Sequence, residues 1–343
     1  MKTVAFGEIM MRLSTIGPSR FSQTNGFSFC YGGAEANVAV SLAQFGDDVS
    51  YVTRLPENDL SHAILQELRK FNVGVDQVVF GGTRLGLYFL ENGAGFRGSK
   101  IIYDRAHSAM SEIQPGMVNW AEVFSGAKYF FWTGITPALS ESAAKVCREA
   151  IDAANKANVT IIADLNYRDK LWKSKEQAGS IMSDLIKDSD IVIGGIDTLS
   201  KLFDINPEGG LDNEKVLSQE ELKSLCSGLT AKFPKVKKVA LTLRWVLDAD
   251  HHRSSGVWFQ EGALYAAKKY DITNIVDRVG GGDAFVAGLI YGMNHFPDDP
   301  QKMVEFATAA AYLKHTFHGD FNLATVEEVE ALMSGEATGK ISR

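Results

Sequence analysis

Short apolar runs at residues 4–6, 49–52, 129–132, 160–163, 191–193 and 239–243 alternate with longer stretches in which apolar residues recur every three or four positions. The longer stretches cover 36–45, 60–71, 140–157, 175–187 and 220–233. The short runs predict strands and the long ones amphipathic helices. The strand runs are apolar throughout, so both faces of their sheet must be covered. That pattern predicts an α/β fold with a mainly parallel central sheet and helices on either side.

Two stretches break the rhythm. Residues 8–29 carry no helical period and contain Gly17, Pro18 and Gly26. Residues 84–105 read as a hairpin, extended over 85–91, turning through Asn92-Gly93-Ala94-Gly95 and returning over 100–105. The two pieces predict a small accessory sheet beside the main body. A polar stretch, 248–255, reads as a loop. Its adjacent His251 and His252 point to opposite sides of any strand or helix, which argues against a shared metal. No repeat or linker divides the chain, so 1–343 is expected to form one domain, with a frayed tail over 335–343.

Charge and cysteine content remove several function classes. The net charge is −7 with no basic segment, which argues against a nucleic-acid backbone as partner. Cys30, Cys147 and Cys226 are odd in number and far apart, so no disulfide framework or zinc site is expected. Reduced thiols fit the cytoplasm. The first apolar run meets Glu8 too soon for a signal peptide, and no run approaches the ~20 apolar residues of a membrane span.

Two glycine-rich segments carry the chemistry. In Asp277-Arg278-Val279-Gly280-Gly281-Gly282-Asp283, three glycines precede an acid and an apolar helical run. Glycines let backbone amides converge on one point at a helix N-terminus, where anions bind. A carboxylate beside a phosphate is repelled, so Asp283 there implies a chemical role, that of accepting the proton of an attacking hydroxyl. The plainer reading of the segment is a glycine turn with Asp283 as helix cap. The second segment, Tyr31-Gly32-Gly33-Ala34-Glu35-Ala36-Asn37, opens a helix of small residues in which Asn37 is placed to bond a substrate hydroxyl. A tightly packed core helix is its plainer reading.

The pair resembles the ribokinase-like (PfkB) carbohydrate kinases. Gly32-Gly33-x-x-x-Asn37 is followed roughly 240 residues later by Asp277-x-x-Gly280-x-Gly282-Asp283, in that family's order. The resemblance covers essentially the whole chain. It implies a three-layer α/β sandwich with a small β-sheet lid, here segments of about 8–30 and 84–105. It implies ATP and Mg²⁺ as cofactors, and a homodimer paired through the lid.

Within the family, five further segments are similar to 2-keto-3-deoxygluconate kinases. They are Gly7-Glu8-Ile9-Met10-Met11-Arg12, Tyr103-Asp104-Arg105-Ala106, Thr133-Gly134-Ile135-Thr136-Pro137, Asp164-Leu165-Asn166-Tyr167-Arg168 and Gly319-Asp320-Phe321-Asn322. The implied reaction is ATP-dependent phosphorylation of the terminal hydroxyl of that sugar acid, giving 2-keto-3-deoxy-6-phosphogluconate. The alternatives are a kinase of the same family acting on a neutral sugar such as fructose, and a catalytically weak sugar-binding regulator.

The residue chemistry suits an acid sugar. Tyr103 and Arg105 lie two apart and share a face, Tyr88 on the partner strand joins them, and Arg168 follows a strand at its carboxyl end. Arginine grips a carboxylate with paired hydrogen bonds. By resemblance, Gly33, Asn37, Tyr88, Tyr103, Arg105 and Arg168 bind the sugar acid. Asn166, Arg168, Thr242, Arg244, Gly280 and Gly282 approach the nucleotide, with Thr242 opening a nucleotide loop at the end of strand 239–243. Asp283 is the base, served by the amides of Gly280, Gly281 and Gly282. The chain departs from the family twice. Arg244-Trp245-Val246-Leu247 replaces a glycine-containing loop, and Gly194-Gly195-Ile196-Asp197-Thr198 replaces an Asn-x-x-Glu segment. The metal ligands therefore stay unassigned.

Overall fold

The computed structural model describes residues 1–207, 210 and 216–337. The expected frayed tail lies outside it from residue 338 onward. In chain order the strands are β1 Lys2–Phe6, β2 Met10–Thr15, β3 Phe27–Gly32, β4 Val49–Val52, β5 Arg54–Leu55, β6 Val79–Phe80, β7 Leu87–Glu91 and β8 Lys100–Asp104. They continue as β9 Ala127–Thr133, β10 Thr160–Asp164, β11 Ile191–Gly195, β12 Lys238–Val246, β13 His251–Gln260, β14 Ala263–Ala266 and β15 Tyr270–Thr273. The helices are α1 Ala34–Gln44, α2 Asp59–Lys70, α3 Trp120–Val123, α4 Glu141–Lys156, α5 Lys175–Ile186, α6 Ile196–Phe203, α7 Gln219–Lys232, α8 Gly281–His295, α9 Pro300–Lys314 and α10 Val326–Ser334.

The main sheet runs β14-β13-β12-β11-β10-β9-β1-β4, and β15 also pairs with β13. From β4 to β12 all pairings are parallel. Successive residues of β1 show why these strands are apolar throughout. Val4 and Phe6 enter the core on one face and Ala5 the core on the other. Tyr129 and Phe131 of β9 are divided from Phe130 and Trp132 in the same way. Local chemistry starts the covering helices: Asn58 caps α2, Ser140 caps α4, and Ser218 with Glu221 closes a capping box on α7.

One expectation fails at the sheet edge. Of residues 248–255, only 248–250 lie in a turn, and 251–255 are strand. β12 runs on to Val246 and, after the turn at 247–250, the chain returns as β13, antiparallel, with Val246 opposite His252. The first half of β13 is polar because one of its faces meets solvent, so it lacks the continuous apolar run that marks the central strands. His251 bonds Asp271, while His252 is fully buried and points to the other face. Among the described residues no cluster of His, Cys, Asp or Glu is fit to hold a metal.

The accessory sheet exists as expected, in the order β3-β2-β7-β8. Its register puts Cys30, Arg12, Tyr88 and Tyr103 in one cross-strand row, and Phe29, Leu13, Phe89 and Ile102 in the next. Because side chains alternate faces, the first row looks inward to the main body and the second outward. The β7–β8 turn also reaches across to the β12–β13 turn. Ala249 donates its amide to the Gly95 carbonyl at 2.7 Å, and Gly95 donates to Asp250 Oδ2 at 3.0 Å.

Candidate active site

The carboxyl ends of β1, β10, β11 and β12, the first turns of α1 and α8, and the inner face of the small sheet enclose a cleft of about 900 Å³. The order in which strands are added reverses at β1: the chain passes first to β4 on one side and later to β9 on the other, with all three strands parallel. Such a switch point opens a crevice at the strand ends.

α8 supplies the anion-binding end. No side chain caps it; Gly280 is the cap residue, with φ 87°, so its first-turn amides stay available to a ligand. Gly280 is fixed by crowding as well, since a Cβ there would lie 2.1 Å from the Asp320 carbonyl oxygen. Gly282 differs: a Cβ on it would meet nothing within 4 Å. Asp283 is not the helix cap. It sits in the third helical position, and Asn37 Nδ2 donates to its Oδ2 at 2.7 Å. Burial pushes the Asp283 carboxyl up to about 6, against the opposing pull of that bond. Asn37, expected to bond a substrate hydroxyl, lines the cleft and is bonded here to Asp283. Its Oδ1 also accepts the Gly33 amide at 3.3 Å, which joins the two glycine segments through one side chain.

Two further carboxyls, absent from the expected site, stand near Asp283. Asp164 ends β10, and burial and then the Asp283 charge raise it to about 7. The Asn166 amide donates to Asp164 Oδ1, and Asn166 itself adopts φ 34°, a left-handed turn. Glu35, buried at the start of α1, is pushed up to about 7 by desolvation, although Thr133 and Thr136 donate to it.

The arginines divide into two kinds. Arg105 lies one residue beyond the end of β8, still in cation–π contact with Tyr103 at 5.5 Å. Its Nε and Nη2 are engaged by Glu8 in a buried ion pair, which leaves Nη1 uncommitted in a residue that lines the cleft. Arg168, Arg244 and Arg278 line the same cleft and make no ion pair among the described residues. Arg244 is exposed on the cleft wall, where the charges of Arg278 and Arg168 oppose its own. Like charges gathered without partners suit a polyanionic ligand. Thr242 and Arg244 sit within β12 and open no loop, because that strand continues to Val246. Tyr88 is buried and donates its hydroxyl to Asp320, with Tyr103 stacked at a tilt beside it. In the altered segment, Asp197 is exposed and pairs with Lys201 at 3.4 Å.

Gly33, Asn37, Tyr88, Tyr103, Arg105, Asn166, Arg168, Thr242, Arg244, Gly280, Gly281, Gly282 and Asp283 all line this cleft. Asp164 is legible as the last residue of a parallel strand, and Arg278 as part of the glycine segment. Nothing in sequence joins Glu8 to Arg105 or Asp320 to Tyr88.

Comparison with known proteins identifies the family. Residues 1–324 match the pfkB family of carbohydrate kinases. The chain is 43% identical to 2-dehydro-3-deoxygluconokinase of Thermotoga maritima, whose crystal structure superposes with a TM-score of 0.92 over 98% of both chains. A PfkB family carbohydrate kinase from Listeria grayi is 32% identical, with a TM-score of 0.90, over 97% of this chain and 100% of that one. The 2-dehydro-3-deoxygalactonokinase of Haloferax volcanii is 28% identical over 337 residues, 98% of each chain.

Proposed function

The chain belongs to the pfkB family of carbohydrate kinases, and we propose that it transfers the γ-phosphoryl group of ATP to the terminal hydroxyl of 2-keto-3-deoxygluconate. The product is 2-keto-3-deoxy-6-phosphogluconate. The observation that carries this reading is Asp283, a carboxylate with a raised pKa beside the uncapped start of α8.

The sugar acid lies between the strand ends and the lid. Arg168 and the free Nη1 of Arg105 take its carboxylate, and Tyr88, Tyr103 and the backbone at Gly33 shape the pocket. Asn37 keeps the Asp283 carboxylate turned toward the substrate hydroxyl. Asp283 takes the hydroxyl proton as the sugar oxygen bonds to phosphorus and the bond to the departing ADP oxygen breaks. The amides of Gly280–Gly282 stabilise charge on the transferring group. Arg244, Arg278, Thr242 and Asn166 line the nucleotide side. The arginines and the glycine turn fit a triphosphate. A Mg²⁺ ion carried with it would find Asp164 as its protein oxygen and water for the rest, and would neutralise phosphate charge. The lid excludes water as a competing acceptor. Three free thiols support a reducing cytoplasmic setting.

The test is ADP release with ATP and Mg²⁺ across 2-keto-3-deoxygluconate, its galactose epimer, gluconate, fructose and ribose. The expected result is a strong preference for the keto-deoxy acids. Arg168→Ala should raise KM for the acids by about 10–100-fold and leave any neutral sugar unaffected. Preferred turnover of fructose or ribose would reject the acid site.

The raised pKa of the base predicts a pH profile. Asp283 works only when ionised, so kcat/KM should fall about tenfold per pH unit below about 6 and flatten above it. The Asn37 bond favours the ionised form. Asn37→Ala should therefore shift the acid limb to higher pH, and a limb that stays put assigns it to another group.

The lid's outer row supports a homodimer. Phe29 and Ile102 are 63% and 56% exposed in one apolar row with Leu13 and Phe89. We infer that a second copy covers this face. Sedimentation should show a dimer that Phe29→Asp dissociates; a monomeric wild-type protein rejects it.

A further inference from the structure

The inner row of the lid converges on one residue far away in sequence. Arg12, on the lid strand β2, donates Nη1 to Asp320 Oδ1 at 2.9 Å and Nη2 to Asp277 Oδ2 at 2.7 Å. Tyr88, on β7, donates to the other Asp320 oxygen, and the Cys30 thiol on β3 lies 3.8 Å from Oδ1. Three lid strands thus meet a single carboxylate. Arg12, Asp277 and Asp320 are all buried.

The same two aspartates brace the catalytic turn. Asp277 Oδ1 accepts the Val279 amide and its Oδ2 the Gly319 amide, each at 3.1 Å. The Asp320 backbone packs against Gly280 so closely that no Cβ fits between them, and its carboxylate packs in the same way against Gly32. Lys314, also buried, donates to the Phe317 carbonyl, and the charges of both carboxylates reach it without a direct ion pair. Two negative and two positive groups therefore form one enclosed network. It joins the lid to the turn that opens α8, only three residues from Asp283. A lid that swung away with Arg12 would leave two buried carboxylates with the Lys314 charge alone, which low-dielectric surroundings disfavour.

We propose that Arg12 is a positioning residue. Through Asp277 and Asp320 it ties the lid to the glycine turn, so that the turn amides are set for the phosphoryl group only while the lid covers the sugar. Arg12 touches neither reactant. The consequence for catalysis rests on the kinase reading above; the mechanical coupling does not.

Two measurements on the full-length protein test it. The first is hydrogen–deuterium exchange of the unliganded protein, comparing Arg12→Lys and Asp320→Asn with wild type. Exchange should rise together in the lid strands and in residues 277–283. Glu91→Gln is the control. Glu91 accepts the Phe21 amide and pairs with Arg97, contacts made wholly within the lid region. It should loosen the lid and leave the turn unchanged. If either network variant fails to fold, Tyr88→Phe, which removes one bond to Asp320, takes its place. A lid that loosens while 277–283 keeps wild-type protection overturns the coupling, as does no change in either.

The second measurement is ADP formed per sugar phosphate formed. In Arg12→Lys, kcat should fall about tenfold with KM for the sugar changed less than about threefold, and the ratio should rise above the wild-type value as water gains access. A lower kcat with an unchanged ratio overturns the catalytic consequence. If the wild-type protein phosphorylates no sugar, the functional reading falls, and the exchange experiment still decides the coupling.

Discussion

Asp283→Asn should lower kcat by about 10²–10⁴ and leave sugar affinity within several-fold. The substitution conserves shape, and the new amide oxygen can still accept the Asn37 bond that now reaches Asp283 Oδ2. What is lost is the negative charge and, with it, the ability to take a proton. The raised pKa of Asp283 comes mainly from burial, a cost that folding bears and that a purely structural residue at this position would not require. Steady-state kinetics and calorimetric titration with the sugar acid separate the two effects. Wild-type turnover in the variant would remove Asp283 from the mechanism. Equal losses of turnover and binding would make it a substrate ligand.

Gly280→Ala and Gly282→Ala should fail in different ways. At position 280 a methyl group meets the Asp320 carbonyl at 2.1 Å, and the backbone has φ 87°, where any residue with a Cβ is strained. Clash and strain together should cost on the order of 3 kcal/mol, lowering the melting temperature by several degrees and distorting the turn. At position 282 the methyl group has open space and an ordinary backbone, so stability should stay within about 0.5 kcal/mol of wild type. That methyl group would stand where the phosphates approach α8. Turnover should still fall tenfold or more, with KM for ATP raised. Thermal melts beside ATP kinetics distinguish the pair. A fully active Gly282→Ala protein would place the phosphates elsewhere.

Much of the molecule is legible from local pattern. The central strands are marked because residues such as Val4, Ala5 and Phe6 are buried on alternate faces, which forces an unbroken apolar run. The lid is marked by the absence of helical period and by the Asn92–Gly95 turn. The glycine segments announce themselves because close backbone approach leaves no alternative residue at Gly33 or Gly280. The His251–Gln260 strand carries no such mark, because a half-solvated antiparallel strand need not be apolar. Its polar first half resembles a loop in sequence, and the strand before it extends to Val246, past the apolar run that ends at Leu243.

The α/β class, the lid and the two glycine turns are written in residues close together in the chain or in strict periodicity. Which charges remain free is settled only in three dimensions. Arg105 and Arg168 read alike along the chain, yet one meets Glu8 across 97 positions and the other lines the cleft without an ion pair among the described residues. Arg12 and Asp320 lie 308 positions apart, and no local pattern records their bond. The difference is one of range. Backbone periodicity acts over a few residues, whereas the pairing of buried charges depends on which strands the fold brings side by side.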